Sequence, residues 1–345
     1  MKIVLWDLDY DRSDYSMALL LWSEALKSQF EVEVITTTDS GRSNKEIQTN
    51  GIPYKVIKSM DVGDYLQDAA DVVMFFGPGS MYESFDVPLH VDACVKSGIP
   101  YIIVLPDILR LDQPTWSQLR MRMAAGIVFE TQDDLNYVSL KYPFIKCPMV
   151  VLGTPLGIPE DVTPNENTGI VVFTDFHKSR RTEVLLDALA SSNDRSLEVS
   201  IVSDPSTRLH TRFAGAYGKT YTGRHVPASY KLTELGSVFG GYRYALDISA
   251  GPAGEGTGRS VLVASGAASG VPLIVPARSG ELELDEHGAT VRVDSDPATF
   301  LGDLARLVSG EWSGHVSHFD AYVHTLRSRY EHSVTDLSKF LEQHL

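Results

Sequence analysis

The densest set of residues able to do chemistry in this 345-residue sequence is Ala250-Gly-Pro-Ala-Gly-Glu-Gly-Thr-Gly-Arg-Ser-Val-Leu-Val-Ala-Ser-Gly-Ala-Ala-Ser-Gly-Val-Pro272. It sets a glycine-rich turn after one apolar run and at the start of a helical pattern. Free backbone N–H groups and the helix dipole favour an anion at such a place. Gly256 and Gly258, on either side of Thr257, permit close approach of a phosphate, and Arg259 adds a charge-assisted hydrogen bond. The plainer reading is a tight strand-to-helix turn with a solvated arginine.

A second constellation is Asp7-Leu-Asp9 after the first apolar run. An aspartate nucleophile with a second acid/base aspartate around Mg²⁺ would make a phosphatase. The alternative is that these acids cap the helix beginning near Ser13. Gly77-Pro-Gly79-Ser80 follows a later strand and either lines a cleft or makes an ordinary turn. Five of the ten histidines fall after residue 314, among them His315, His318 and His324. Of these three, only the first two share a helical face, so a solvated face is expected rather than a metal site. Cys94 and Cys147 make no ligand or disulfide spacing and read as buried free thiols.

Composition narrows the function classes. The chain has 45 acidic and 30 basic residues, a formal charge of −15, 43% hydrophobic residues, 27 glycines and 17 prolines. These are values of a soluble globular protein, whose net charge repels phosphate backbones and disfavours a nucleic-acid partner. Its length allows two domains, each with its own core. The start turns acidic at Asp7, so a first strand and not a secretory leader is expected, with a cytoplasmic location. The longest uncharged stretch, Ser260 to Ala277, is broken by Gly266, Gly270, Pro272 and Pro276, so no membrane span is expected.

The elements that must position these residues are short apolar runs alternating with amphipathic stretches, the pattern of βα units in parallel sheets. Strands are expected at Lys2–Leu8, Glu31–Thr37, Tyr54–Ile57, Asp71–Gly77, Tyr101–Leu105, Ile127–Glu130 and Met149–Leu152. Helices are expected around Ser16–Lys27, Pro88–Lys96, Thr115–Met123 and Asp133–Leu140. The alternation pauses over the proline-bearing segment Thr154–Thr168 and then restarts. The second series has strands at Gly169–Phe173, Leu197–Val202, Tyr244–Ile248 and Pro272–Pro276. Its helices are at Thr182–Ala190, Lys231–Phe239, Gly258–Ser269 and Ala298–Val308. A final helical stretch begins near His315.

Glu255-Gly-Thr-Gly followed by Ala268-Ser-Gly-Val-Pro272 resembles the signature of the retaining glycosyltransferases with two Rossmann-like domains, the GT-B group. Further pieces agree in order. Ile99-Pro-Tyr-Ile-Ile-Val-Leu-Pro-Asp107, Ala124-Ala-Gly-Ile-Val-Phe-Glu-Thr131 and Val151-Leu-Gly-Thr-Pro-Leu-Gly157 are similar to acceptor-domain segments. Val171-Val-Phe-Thr-Asp-Phe-His-Lys-Ser-Arg-Arg-Thr-Glu-Val-Leu-Leu-Asp-Ala188 is similar to the opening of the donor domain. The resemblance implies an α/β, GT-B-like fold with an interdomain cleft. Residues 1–153 would form the acceptor domain, 154–168 a linker and 169–324 the nucleotide-sugar donor domain. A C-terminal helix at about 325–345 would pack back onto the first domain.

The activity so implied is transfer of a sugar from a nucleotide-activated donor to a hydroxyl acceptor, retaining and without a metal or resident cofactor. Lys178 or Arg180 would face the leaving diphosphate with Gly256, Thr257, Gly258 and Arg259, and Glu255 would hold the sugar. Asp107, Gly79 and Ser80 would lie on the acceptor side. The sequence departs from the signature where a second glutamate binds the donor ribose, since spacing puts Val263 or Ser265 there. The rival readings are a GT-B-fold binding or scaffolding protein without activity and the phosphatase built on Asp7 and Asp9.

Overall fold

The computed structural model describes residues 1–7, 13–38, 46–49, 52–76, 89–105, 120–155, 169–173, 185–186, 188–189, 199–203, 224–227, 242–246, 271, 273–276, 291–293, 297–309 and 316–345. The chain divides into two compact units, Met1–Pro155 with Arg329–Leu345, and Leu156–Ser328.

The first unit is built on eight strands: β1 (Lys2–Asp7), β2 (Glu31–Thr38), β3 (Glu46–Thr49), β4 (Ile52–Lys58), β5 (Val72–Phe76), β6 (Tyr101–Leu105), β7 (Gly126–Phe129) and β8 (Met149–Val151). Their order is β3-β4-β2-β1-β5-β6-β7-β8. All neighbours are parallel except β3, which runs antiparallel to β4 at the edge. Every residue of β5, β6 and β7 is buried, as expected where helices cover both faces of a parallel sheet. Setting β3 aside, the order counts outward from β1 in both directions, so the sheet is doubly wound with its order reversing between β1 and β5.

The helices are α1 (Ser13–Leu26), α2 (Val62–Ala69), α3 (Leu89–Ser97) and α4 (Gln132–Lys141). On one face, Val4, Trp6, Phe75, Tyr101, Ile127 and Phe129 pack with Val62 and Leu66 of α2, Val91 and Cys94 of α3 and Val138 of α4. Phe75 centres this layer, 4.9 Å from His90, 5.2 Å from Tyr101 and 5.4 Å from Trp6 between ring centroids. Cys94 is buried and Cys147 half-buried, and both are free. Burial pushes their thiols up to about 12 and about 11, so neither is a ready nucleophile at neutral pH.

The second unit carries six parallel strands: β9 (Ile170–Phe173), β10 (Val199–Ser203), β11 (Arg224–Pro227), β12 (Tyr244–Leu246), β13 (Leu273–Pro276) and β14 (Val291–Val293), followed by α5 (Pro297–Val308). Their order, β11-β10-β9-β12-β13-β14, repeats the doubly wound pattern, with the reversal between β9 and β12. Its core includes Ile170, Val171, Leu185, Leu186, Ile201, Tyr244, Ile274 and Leu304. Two Rossmann-like sheets are therefore present, as the restart of the alternation implies.

The last helix, α6 (Val316–His344), is 29 residues long, and from Arg329 onward it belongs to the first unit. There it buries Tyr330, Ser333, Leu337, Phe340 and Leu341. Close approach to the sheet requires glycine at two positions. A Cβ at Gly126 would run into the Phe340 ring, and one at Gly153 into the Tyr330 ring. The 3.6-residue spacing of Tyr330, Leu337, Phe340 and Leu341 gives α6 its apolar face.

Four elements escape the sequence reading. β3 (Glu-Ile-Gln-Thr) is polar and gains its state by pairing with β4. Helix α2 contains Gly63 and buries only Val62 and Leu66. β11 and β14 are short outer strands. The helices expected at Lys231–Phe239 and Gly258–Ser269 lie outside the described residues, as does 115–119 of another, of which 120–123 are helical.

Gly126→Ala and Gly153→Ala are each expected to cost about 1–3 kcal/mol, because the buried rings they would strike must shift. The check is a lowered urea midpoint without change in the slope.

Candidate functional site

In a doubly wound sheet, ligands bind beyond the carboxyl ends of the strands where the strand order reverses. In the second unit that place lies between β9 and β12, whose Tyr244 pairs with Ile170 and Ala245 with Val171. The chain leaves β9 at Phe173 toward Lys178 and Arg180, and leaves β12 at Leu246 toward Glu255 and Ser265. Strand order thus starts both segments singled out in the sequence from adjacent strands, at the same edge. Lys178, Arg180, Glu255, Gly256, Thr257, Gly258, Arg259 and Ser265 themselves lie outside the described residues.

The first sheet has the corresponding place between β1 and β5, where Asp7 pairs in register with Phe76. Asp7 is buried and accepts a hydrogen bond at Oδ2 from the Tyr54 hydroxyl at 3.1 Å, while its backbone oxygen accepts one from Thr36 Oγ1 at 3.1 Å. Tyr54 sits on β4, and sequence reading gives it no role. Asp9, the partner in the phosphatase reading, lies outside the described residues, as do Gly79, Ser80 and Asp107. Gly79 and Ser80 follow β5 in sequence and Asp107 follows β6, so both leave the carboxyl edge of this sheet.

Further along the same edge stands a polar cluster that sequence reading does not assign. Glu130 follows β7 directly and is fully buried. Its Oε2 accepts the Thr154 backbone N–H at 2.9 Å and the Thr154 hydroxyl at 2.8 Å. From α6, Arg329 donates to the Glu130 backbone oxygen at 3.2 Å. Ser333 donates to the backbone oxygen of Gly153. Burial pushes the Glu130 carboxyl above the usual carboxylate value, against the opposing pull of the Thr154 bonds, the Arg329 charge and the Tyr330 hydroxyl. The signal available in the sequence is a Glu-Thr pair closing an apolar strand, with Gly-Thr closing the next.

Among the described residues no group of three His, Cys, Asp or Glu is placed to hold a metal ion. His324 is exposed on α6, and His315 lies outside the described residues. No helix of the described residues is long and apolar enough to cross a membrane.

The sequence matches no protein-family model and no curated protein sequence. Solved structures are similar in fold. The Anabaena protein Alr3699/HepE, in complex with UDP and glucose, superposes with a TM-score of 0.67 at 11% identity, over 99% of this chain and 100% of that one. Sucrose-phosphate synthase of Thermosynechococcus elongatus gives 0.67 at 11% identity, over 99% of each chain. An E. coli trehalose-6-phosphate protein bound with UDP-2-fluoro glucose gives 0.61 at 10% identity, again over 99% of each. At such identities the likeness speaks for the fold, which is that of the GT-B glycosyltransferases.

Because Glu130 holds its proton more tightly in the folded than in the unfolded chain, its ionisation costs stability. That cost begins above the unfolded value of about 4.3 and grows until pH passes the raised folded value. Glu130→Gln removes it, so the stability of the wild type relative to this variant is expected to fall as pH rises from 4.5 to 8, read as urea midpoints. Thr154→Val strips one bond from a buried carboxylate and is expected to cost about 1–3 kcal/mol, with Thr154→Ser restoring most of it.

Proposed function

We propose that this chain, with its GT-B fold, transfers a sugar from a nucleotide-activated donor to a hydroxyl acceptor. The observation that carries the reading is the strand order of the second unit, in which the Lys178/Arg180 segment and the Glu255–Ser265 segment start from the two strands flanking the order reversal. Support comes from the fold neighbours bound to UDP and to a UDP-sugar.

In the proposed reaction the bond from the anomeric carbon to the donor diphosphate breaks and a bond to the acceptor oxygen forms, while the acceptor hydroxyl gives up its proton. Lys178 or Arg180, with the Gly256–Arg259 backbone amides, stabilises negative charge growing on the diphosphate, work that fixed cations and a helix start can do without a metal. Glu255 orients the sugar hydroxyls. Ser265, at the ribose end, offers a hydroxyl where a carboxylate would accept two hydrogen bonds. Retention at the anomeric carbon belongs to the same proposal, and so does Asp107 with Gly79 and Ser80 on the acceptor side. Free Cys94 and Cys147 accord with a cytoplasmic setting.

A second reading, a GT-B-fold binding protein without turnover, is favoured by one observation: Val263 or Ser265 stands at the position of the second signature glutamate. A thermal-shift panel of nucleotides and nucleotide sugars, starting with uridine nucleotides, tests binding. A ligand at a hundred times its Kd stabilises by about 2.7 kcal/mol. Binding with donor turnover supports the transferase, binding without turnover supports the second reading, and silence across the panel overturns both.

Arg180→Ala or Lys178→Ala is expected to lower kcat by about 10²-fold with a smaller effect on donor affinity, since charge on the diphosphate grows toward the transition state. Glu255→Gln should impair transfer and leave nucleoside diphosphate binding unchanged. Wild-type turnover in all three variants would overturn the site assignment. For Ser265, UDP and 2′-deoxy-UDP are expected to bind within about tenfold of each other, neutral hydrogen bonds contributing about 1 kcal/mol.

A further inference from the structure

The last stretch of α6 covers a carboxyl group that water does not reach. From Arg329 onward the helix belongs to the first unit, and its Tyr330 and Phe340 rings lie on the sheet at Gly153 and Gly126. Against the first turn of this stretch stands Glu130, buried at the end of β7. Its two carboxyl oxygens are served unequally. Oε2 takes both bonds from Thr154, at 2.9 and 2.8 Å, whereas Oε1 is buried and makes no hydrogen bond among the described residues.

The groups around this carboxyl come from three elements. From α6, Arg329 Nη1 donates to the Glu130 backbone oxygen at 3.2 Å and not to the carboxyl, which feels the guanidinium charge through space, as it feels the Tyr330 hydroxyl. Ser333, one turn on, is bonded to the Gly153 backbone oxygen. Thr154 follows β8, and the buried Asp133 and Asp134 open α4, where Asp134 N–H donates to Thr131 Oγ1 at 3.2 Å. Glu331 and His332 of α6 are exposed. A carboxylate with one oxygen bare is far costlier to keep from water than a neutral carboxyl. Undocking this end of α6 is the smallest movement that admits water to Oε1, since Arg329 and Tyr330 come away with it and no strand has to part.

We propose that Arg329–Leu345 is a latch held shut by the proton on Glu130: when that proton leaves, the segment undocks locally from the first sheet while β5 and β6 stay paired. Burial pushes the Glu130 carboxyl above its ordinary value, in the direction this requires. The sign follows from linkage. Docking is strongest below the unfolded value of about 4.3 and weakens as pH rises toward the raised folded value. The open form bares Leu337, Phe340 and Leu341, apolar side chains that are buried in the closed one. The proposal does not depend on the transferase reading.

The test is amide hydrogen exchange of the full chain, read by mass spectrometry at about pH 5 and about pH 8, with each rate divided by the intrinsic rate at that pH. The opening equilibrium of amides 333–341 is expected to rise at least about tenfold from the lower pH to the higher, one unit of pKa shift being tenfold. At the higher pH these amides should exchange faster than those of Val72–Phe76 and Tyr101–Leu105 and respond little to urea below the global transition, the mark of local opening. Glu130→Gln keeps the shape without the charge and leaves Arg329 and His332 in place, so it should cut the rise to less than about twofold. Phe340→Ala, which loosens the same contact without touching the carboxyl, should speed exchange at both pH values and keep the rise. A rise that survives in Glu130→Gln belongs to another group and overturns the proposal. So does pH-independent opening in the wild type. Exchange of 333–341 at the rate and urea response of β5 and β6 would make the opening global and overturns it as well.

Discussion

The buried Glu130 carboxylate is the constraint around which the carboxyl edge of the first sheet is organised. Taking a carboxylate out of water costs several kcal/mol unless its lone pairs find donors. Thr154 supplies two of them, and its position fixes the end of β8 against the end of β7. Arg329 and Tyr330 bring charge and a hydroxyl from α6, and Ser333 ties the next turn of that helix to Gly153. The cluster therefore joins two strands and a helix nearly two hundred residues away in sequence.

That joint works only because the sheet surface beneath α6 is smooth. At Gly126 and Gly153 there is no side chain to hold the helix off, so the Phe340 and Tyr330 rings lie directly on the backbone. Apolar burial of Leu337, Phe340 and Leu341 drives the docking. The polar cluster sets its register, since sliding the helix by one turn would pull Arg329 from the Glu130 backbone oxygen and Ser333 from that of Gly153. From Arg329 onward α6 belongs to the first unit, where these contacts hold it.

The two sheets share one strand order, and that order divides labour between edges. In a doubly wound sheet the place where ligands bind is the carboxyl edge where the order reverses. The segments read as chemically competent start there in both units. At the opposite edge of the first sheet the crossover helices end and connections are short.

Much of this was legible in the amino-acid sequence. Buried parallel strands such as Val72–Phe76 and Tyr101–Leu105 are continuous apolar runs. Such signals are local, so the α/β class and the restart of strands after residue 168 could be read without coordinates. Strand β3 and helix α2 could not, because a polar tetrapeptide and a glycine-bearing octapeptide take their state from the neighbours they pack on. The roles of Glu130, Tyr54 and Arg329 were likewise decided only by tertiary structure. A glutamate, a tyrosine and an arginine are unremarkable in a sequence. They matter here because folding removes water from Glu130 and Asp7 and leaves residues distant in the chain as the groups that can satisfy them.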